Sequence, residues 1–138
     1  MEVERAHLNW IDNCIGVGDI IDAYYVDALR EQGVDFIVDA RTLFETVHVG
    51  FLDENRPIPS KILKAARLLV ALSDLDAKIL IHCLVGINRT PFLASVYVSK
   101  KYKMDYKAAY KFVAEKRPNT RYHWDWVELL ESSENARA

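Results

Sequence analysis

The chain has 138 residues, of which 51% are hydrophobic and 28% charged, and its formal net charge is −2. A chain of this length buries roughly two-thirds of its unfolded surface, so we expect one globular domain over residues 1–138 and no room for a second. The sequence has no uncharged apolar run of 18 residues and no basic-then-apolar leader, which predicts a soluble, cytoplasmic protein without a membrane partner.

The charges are distributed unevenly along the chain. Residues 1–59 hold 4 basic and 12 acidic side chains, whereas residues 60–138 hold 14 basic and 8 acidic ones. Eight of the basic residues lie between Lys100 and Arg121. This stretch would raise the positive potential near an anionic substrate, although solvated faces of amphipathic helices give the same pattern and are the more common cause.

The two cysteines, Cys14 and Cys83, are too few for a disulfide framework. Neither belongs to a cluster of Cys and His at metal-ligand spacing, so the sequence predicts no metal site. In a reducing compartment both stay free thiols. For Cys14 we favour a buried apolar role over the alternative, a disulfide with Cys83.

The first half of the chain predicts one helix and two strands. Asp19 is a suitable cap for a helix to about Gln32, where Gly33 provides a left-handed stop. The run VDFIVDA is typical of a buried strand, and TVHVGF of a shorter one.

The middle of the chain predicts a loop, a helix and a strand. The prolines of DENRPIPS indicate a loop, with Ser60 as the cap of the helix that follows. KILIH is typical of a strand. The apolar positions of the helix recur with its period and predict the buried residues Ile62, Leu63, Ala66 and Leu69.

Three helices in series are predicted for the last third. The first runs from Thr90 to about Tyr102, the second from about Asp105 to Lys116, and the third holds Trp124 to Leu130. Strands that alternate with helices, followed by helices in series, predict an α/β fold. Its mainly parallel central sheet would be flanked by helices in a three-layer sandwich.

The stretch HCLVGINRT, residues 82–90, joins the strand KILIH to the first of these helices. Backbone N–H groups and the positive end of the helix dipole converge at such a junction, which favours bound anions. A thiol there, Cys83, has its pKa lowered and becomes a nucleophile at neutral pH. Arg89 offers two parallel hydrogen bonds to a phosphate, Gly86 lets the backbone curl, and the Thr90 hydroxyl can donate to the sulfur.

This C-x5-R pattern, with His82 before and Thr90 after it, resembles the active-site loop of the cysteine-dependent protein tyrosine phosphatase superfamily, small dual-specificity type. The alternative is a buried, inert cysteine beside a surface arginine. The resemblance implies a protein tyrosine phosphatase-like sandwich and catalytic roles for Cys83, Arg89 and Thr90, with His82 either tuning the thiol or serving as a packed core residue. It assigns substrate binding to the loop residues Leu84, Val85, Gly86, Ile87, Asn88 and Arg89.

The resemblance also implies a general acid about thirty residues before the nucleophile. Asp53, in FLDENRPIPSKI, lies 30 positions before Cys83, and prolines and a helix follow it as in the family. We prefer Asp53 to its neighbour Glu54. The implied reaction passes through a cysteinyl-phosphate and needs no metal or other cofactor. In some members a glutamine after an Arg-Pro dipeptide positions the water that attacks in the second step. The corresponding stretch here, RPNTRYHWDW, has no glutamine.

The resemblance leaves three functions open. A short chain without a tyrosine-recognition loop implies a shallow pocket for phosphotyrosine, phosphoserine and phosphothreonine in proteins. GINRTPFL is also similar to the GxNRTGFL of RNA 5′-triphosphatases, for which the partner would be an RNA 5′ end. A non-catalytic, phospho-binding pseudophosphatase is the third alternative, but its usual mark, a replaced nucleophile, is missing. Lipid and inositol phosphatases of the superfamily tend to carry lysines in this loop that bind additional phosphate groups. The loop here has no lysine, which argues against a polyphosphorylated lipid as substrate.

Overall fold

The computed structural model describes residues 8–137, which form two sheets and five helices. None of these helices is long and apolar enough to cross a membrane. Short 3-10 turns cover Asp22–Tyr24 and Ala40–Leu43. The elements are β1 (Asn9–Trp10), β2 (Ile15–Gly18), α1 (Val26–Glu31), β3 (Phe36–Asp39), β4 (Phe44–Val49), β5 (Leu52–Pro57), α2 (Pro59–Asp74), β6 (Ile79–His82), α3 (Arg89–Tyr102), α4 (Tyr106–Lys116) and α5 (Trp124–Arg137).

The larger sheet has the strand order β1-β2-β6-β3, and β6 lies at its centre with all four residues buried. β2 and β3 pair with β6 in parallel, while β1 pairs with β2 antiparallel. Ile79 and Ile81 face a core that includes Leu93 and Tyr97 of α3, and Leu80 packs on the opposite face against Leu29 of α1. The predicted α/β fold, with a mainly parallel sheet between helical layers, is confirmed.

The strand predicted to be buried at VDFIVDA is an edge strand. It begins at Phe36, and the side chains of Phe36 and Ile37 are 49% and 43% exposed. β3 pairs with β6 on one side and has no neighbour on the other within residues 8–137. An apolar run does not distinguish a central strand from an edge strand, which explains the error.

The first helix is shorter than its cap predicted. The backbone N–H of Asp22 donates to Asp19 Oδ1 and that of Asp19 to Asp22 Oδ2, each at 2.8 Å. This reciprocal pair forms a turn immediately before the 3-10 turn at Asp22–Tyr24. Helix α1 begins only after Tyr25, whose φ of −84° and ψ of 60° interrupt the helical path. The predicted stop is confirmed, since Gly33 has a φ of +82°.

The segment predicted as a proline loop is a strand. β5 runs from Leu52 to Pro57 and pairs antiparallel with β4, with Gly50 at a φ of +63° in the turn. Proline is tolerated at the end of an edge strand and in the first turn of a helix. Ser60 is therefore not a cap, because α2 already begins at Pro59. The predicted buried face of α2 is confirmed at Ile62, Leu63, Ala66 and Leu69.

The two cysteines lie at opposite ends of the parallel strands. Cys14 precedes Ile15, which is paired with Ile79, and Cys83 follows His82 at the other end of β6. Five residues at about 3.3 Å each separate them by about 16 Å along the strands, whereas a disulfide needs Cα atoms within about 7 Å. Both are free, and Cys14 packs half-buried against the core.

Asp12 ties the start of β2 to the end of α3. Its Oδ1 accepts from the N–H groups of Cys14 and Ile15, at 2.8 Å each. Its Oδ2 accepts from the hydroxyls of Tyr97 at 2.6 Å and Tyr102 at 2.7 Å. Burial raises the pKa of Asp12, but these four bonds favour the carboxylate more strongly and leave the pKa below its ordinary value.

We therefore expect Asp12→Asn to lower the free energy of unfolding by about 1–3 kcal/mol at pH 7, because an amide N–H₂ cannot accept from a tyrosine hydroxyl. A carboxyl whose pKa is depressed by folding stabilises the fold above its unfolded pKa, near 4, and this contribution is lost as the pH falls through its folded pKa. Urea unfolding at pH 7 and pH 3 checks this. The difference between wild type and variant should shrink at pH 3, and a difference independent of pH would contradict the account.

Candidate active site

The loop 83–88 leaves the central strand β6 and enters α3, whose first residue is Arg89. It lies at the carboxyl edge of the parallel strands β2, β3 and β6. Gly86 has a φ of +80°, and a Cβ there would lie 2.4 Å from the Gly18 carbonyl oxygen and 2.7 Å from Arg117 Nη2. Both the backbone angle and the space therefore require glycine, as the sequence predicted for the curl of this loop.

Cys83 is buried at the base of the loop, with 2% of its surface exposed. Its Sγ accepts a hydrogen bond of 3.2 Å from the backbone N–H of Gly86. Burial raises the pKa of the thiol, but the hydroxyl and backbone N–H of Thr90, the N–H of Gly86 and the charge of Arg89 outweigh burial, so the pKa lies below its ordinary value. A lowered pKa raises the fraction of the thiol that is ionised at a given pH.

The Thr90 hydroxyl is buried and close enough to the sulfur to lower the pKa of Cys83. Its Oγ1 forms no hydrogen bond of standard geometry within residues 8–137. Within the described residues no other acceptor holds its proton, so the predicted hydrogen bond from Thr90 to the sulfur stays a prediction.

His82 contacts the loop backbone. Its Nδ1 lies 3.2 Å from the carbonyl oxygen of Cys83, and its side chain is buried. In the sheet it lies opposite Gly18 on one side and Asp39 on the other. The contact is with the main chain of Cys83, and this agrees with the packed, hydrogen-bonded alternative.

Arg89 occupies the first turn of α3 and is half-buried. Its positive charge contributes to the lowered pKa of Cys83, and no carboxylate within residues 8–137 forms an ion pair with it. Leu84 and Val85, which follow Cys83, are 52% and 54% exposed. The loop therefore combines an uncompensated guanidinium with two apolar side chains at the surface.

Arg117 fixes the loop from the end of α4. Its Nε donates to the Gly86 carbonyl at 3.1 Å, and its Nη1 donates to Asn9 Oδ1 at 2.8 Å and to the Val17 carbonyl at 3.5 Å. One guanidinium thus joins the loop to β1 and β2. Sequence reasoning missed this role, although the Arg-Pro dipeptide after a basic helix marked the position.

The segment after Arg117 holds the next two loop residues. The backbone N–H of Arg121 donates to the Ile87 carbonyl at 2.8 Å, and His123 Nε2 lies 2.9 Å from Asn88 Oδ1. The His123 ring stacks on Trp126 with centroids 3.7 Å apart, and burial lowers its pKa. Asn88 thus has a partner inside the fold, which sequence reasoning did not find.

A second arginine lies at the same edge of the sheet. Arg41 follows β3, and Asp39 holds its guanidinium at 3.0 Å through Nε and at 2.7 Å through Nη2. This carboxylate raises the pKa of Arg41, and the sulfur of Cys83 contributes in the same direction. Within residues 8–137, no group of three or more His, Cys, Asp and Glu side chains is arranged to hold a metal ion.

Asp53 lies in β5, directly opposite His48 of β4. Its Oδ1 is 2.5 Å from His48 Nδ1, and its side chain is 66% exposed. Alternation along the strand puts His48 on the same face as Phe44, whose ring packs against Phe92 in the first turn of α3 at 6.3 Å. The hairpin that carries Asp53 therefore packs against α3 at its base, through Phe44.

The family model for the dual specificity phosphatase catalytic domain matches residues 21–135. The chain belongs to the dual specificity phosphatase family. It is 32% identical to the human dual specificity protein phosphatase 16 over 96 residues, which are 70% of this chain and 14% of that protein. It is 41% identical to the tyrosine-protein phosphatase vhp-1 of Caenorhabditis elegans over 58 residues, 42% of this chain and 9% of that protein. The dual specificity phosphatase domain thus spans less than a sixth of these relatives.

Solved structures share the fold. A mouse putative dual specificity phosphatase, complexed with zinc tungstate, has a TM-score of 0.75 at 13% identity and covers 99% of this chain, with 94% of its own chain matched. The human tyrosine phosphatase-like serine/threonine/tyrosine-interacting protein has a TM-score of 0.73 at 17% identity, covering 96% of this chain and 99% of its own. At these identities the likeness supports the dual specificity phosphatase fold.

The lowered pKa of Cys83 predicts fast alkylation of this dual specificity phosphatase domain near neutral pH. Because the thiolate is the reactive form, the rate should rise with pH and level off at a lower pH than for an ordinary thiol, whose pKa is about 8.5. Iodoacetate modification of Cys83, followed by peptide mass spectrometry from pH 5 to pH 9, measures this. Cys14 is the internal control, because burial raises the pKa of its thiol. Equal pH profiles for the two cysteines would contradict the assignment.

Proposed function

We propose that this domain hydrolyses phosphotyrosine, phosphoserine and phosphothreonine in proteins through a cysteinyl-phosphate intermediate. The observation that carries the proposal is the setting of Cys83. Its thiol pKa is lowered at the base of a loop that begins a helix, with Arg89 unpaired beside it in the described chain. A thiolate, a guanidinium and a helix N-terminus at one point are suited to attack on a phosphate ester.

In the first step, the Cys83 thiolate attacks phosphorus in line and forms the S–P bond as the P–O bond to the substrate breaks. Asp53, in its protonated form, gives its proton to the leaving oxygen, because an alkoxide or phenolate departs poorly without one. Arg89 and the loop N–H groups stabilise the charge on the three remaining phosphate oxygens. These charges need no metal for their stabilisation.

In the second step, water attacks phosphorus and releases the thiolate. The Asp53 carboxylate takes a proton from the water, so the acid is restored, and inorganic phosphate leaves. The Thr90 hydroxyl donates a hydrogen bond to the sulfur and stabilises the departing thiolate as the S–P bond breaks. Membership of the dual specificity phosphatase family supports the overall reaction.

The loop geometry supports phosphorylated proteins as the substrate class. Leu84 and Val85 present apolar side chains at the loop surface, and they carry no charge that would select a polyphosphate. Asn88, the residue that resembles RNA triphosphatases, has an internal partner in His123. Arg117, which belongs to the basic stretch, donates a hydrogen bond to the Gly86 carbonyl of the loop. These contacts account for Asn88 and for Arg117 without an RNA ligand.

The test compares initial rates, with EDTA present, on a phosphotyrosine peptide, a phosphothreonine peptide and a 5′-triphosphate RNA. The proposal predicts turnover of both peptides, and loss of that turnover in Cys83→Ser. Turnover of RNA alone would establish the 5′-triphosphatase alternative. Peptide binding without turnover of any substrate would establish the pseudophosphatase alternative.

A further inference from the structure

His48 and Asp53 form a hydrogen-bonded pair at the outer end of the β4–β5 hairpin. They are directly opposed across the two strands, and His48 Nδ1 lies 2.5 Å from Asp53 Oδ1. Their side chains are 79% and 66% exposed. A pair this exposed contributes little to folding stability, so stability does not account for it.

Within the hairpin, no other charged side chain shares the face of the pair. Strand alternation places it on the hairpin face that also carries Thr46 and Asn55, which are neutral, and the buried residues Phe44 and Pro57. The charged residues Glu45, Glu54 and Arg56 fall on the opposite face.

The turn that packs against β4, Ala40–Leu43, supplies one charge. This is Arg41, which is already paired with Asp39. Within the described hairpin, His48 is therefore the one titratable side chain that shares a face with Asp53. The same face carries Phe44, whose ring packs against Phe92 of α3 at the base of the hairpin.

We propose that His48 is a positioning residue that orients Asp53 as the general acid. The inference rests on the proposed function, in which Asp53 protonates the leaving oxygen. His48 Nδ1–H donates to Oδ1, so Oδ2 is the carboxyl oxygen that carries the transferable proton. Oδ2 gives this proton to the leaving oxygen in the first step and takes one from water in the second, while His48 keeps its own proton throughout.

A matched pair of substitutions isolates the bond. His48→Leu removes the donor. His48→Asn keeps an N–H group close to the position of Nδ1 and is the rescue variant. Thr46→Val, on the same face one register pair away, is the control for general disturbance of the hairpin.

The assay measures kcat/KM on aryl phosphates whose leaving groups range from good to poor. We expect His48→Leu to lose about tenfold on the poorest leaving group, as for the loss of one hydrogen bond, and almost nothing on the best. His48→Asn and Thr46→Val should follow wild type across the series. A merely structural defect would lower all rates alike and leave the dependence on the leaving group unchanged.

The double variant with Asp53→Asn completes the test. With the acid removed, His48→Leu should have no further effect, because His48 acts through Asp53. A leaving-group dependence in His48→Leu equal to that of wild type overturns the inference, as does a further loss in the double variant. If Asp53→Asn is itself no more sensitive to the leaving group than wild type, the assignment of the acid fails, and the inference fails with it.

Discussion

Replacement of Cys83 by serine is expected to lower kcat on a phosphotyrosine peptide by at least about 10³-fold, which is the scale of loss for a removed nucleophile. A serine hydroxyl has a pKa far above neutrality, and the bonds that lower the pKa of the thiol cannot make it ionise at pH 7. The loop N–H groups and Arg89 stay in place, so phosphopeptide binding should be retained. Stopped-flow or steady-state kinetics, with calorimetric binding of the peptide, measures both quantities.

Cys14→Ser provides the matched control for this substitution. Cys14 is the other cysteine of the chain, lies at the far end of the parallel strands, and donates its thiol proton to the Ser73 carbonyl at 3.7 Å. Its replacement should leave kcat near wild type. Activity near wild type in Cys83→Ser, or a comparable loss in Cys14→Ser, would contradict Cys83 as the nucleophile.

Asp53→Asn should slow hydrolysis of esters with poor leaving groups by about 10²-fold, the usual contribution of a general acid. An asparagine at this position still fits opposite His48 but has no proton that it can release at neutral pH. The loss should be smallest on aryl phosphates with good leaving groups, which depart without protonation. Rates on a phosphotyrosine peptide and on an activated aryl phosphate, compared with wild type, test this.

Glu54→Gln is the control for the general acid. Glu54 is adjacent in sequence and lies on the opposite face of the hairpin, so its amide variant should retain wild-type rates. If the loss of rate appears in Glu54→Gln and not in Asp53→Asn, the general acid is Glu54 and the assignment of Asp53 is wrong.

The loop and its flanking elements could be predicted from the sequence because their signals are local. An apolar strand, a glycine that must have a positive φ, and a helix with proline in its first turn all lie within β6, the loop and α3. The start of α4, predicted at about Asp105, is equally local, since the Asp105 side chain accepts from the Ala108 N–H at 2.8 Å. Such features depend on a few neighbouring residues.

The features that sequence reasoning missed depend on distant parts of the chain. Arg117 contacts Gly86 across 31 positions, and His123 contacts Asn88 across 35. No local pattern shows which carbonyl or amide a side chain will meet after folding. Strand β5 was missed for another reason, although β4 overlaps the strand predicted at TVHVGF. Pro57 and Pro59 indicate a loop, yet one ends an edge strand and the other begins a helix. Tertiary pairing with β4 decided the structure.

The most direct test of the account is detection of the cysteinyl-phosphate. The protein would be denatured during steady-state turnover of a phosphotyrosine peptide, and bound phosphate located by phosphorus NMR and peptide mapping. The account predicts phosphate attached through sulfur to Cys83 in wild type, and none in Cys83→Ser. Steady turnover without protein-bound phosphate, or phosphate on another residue, would contradict the account.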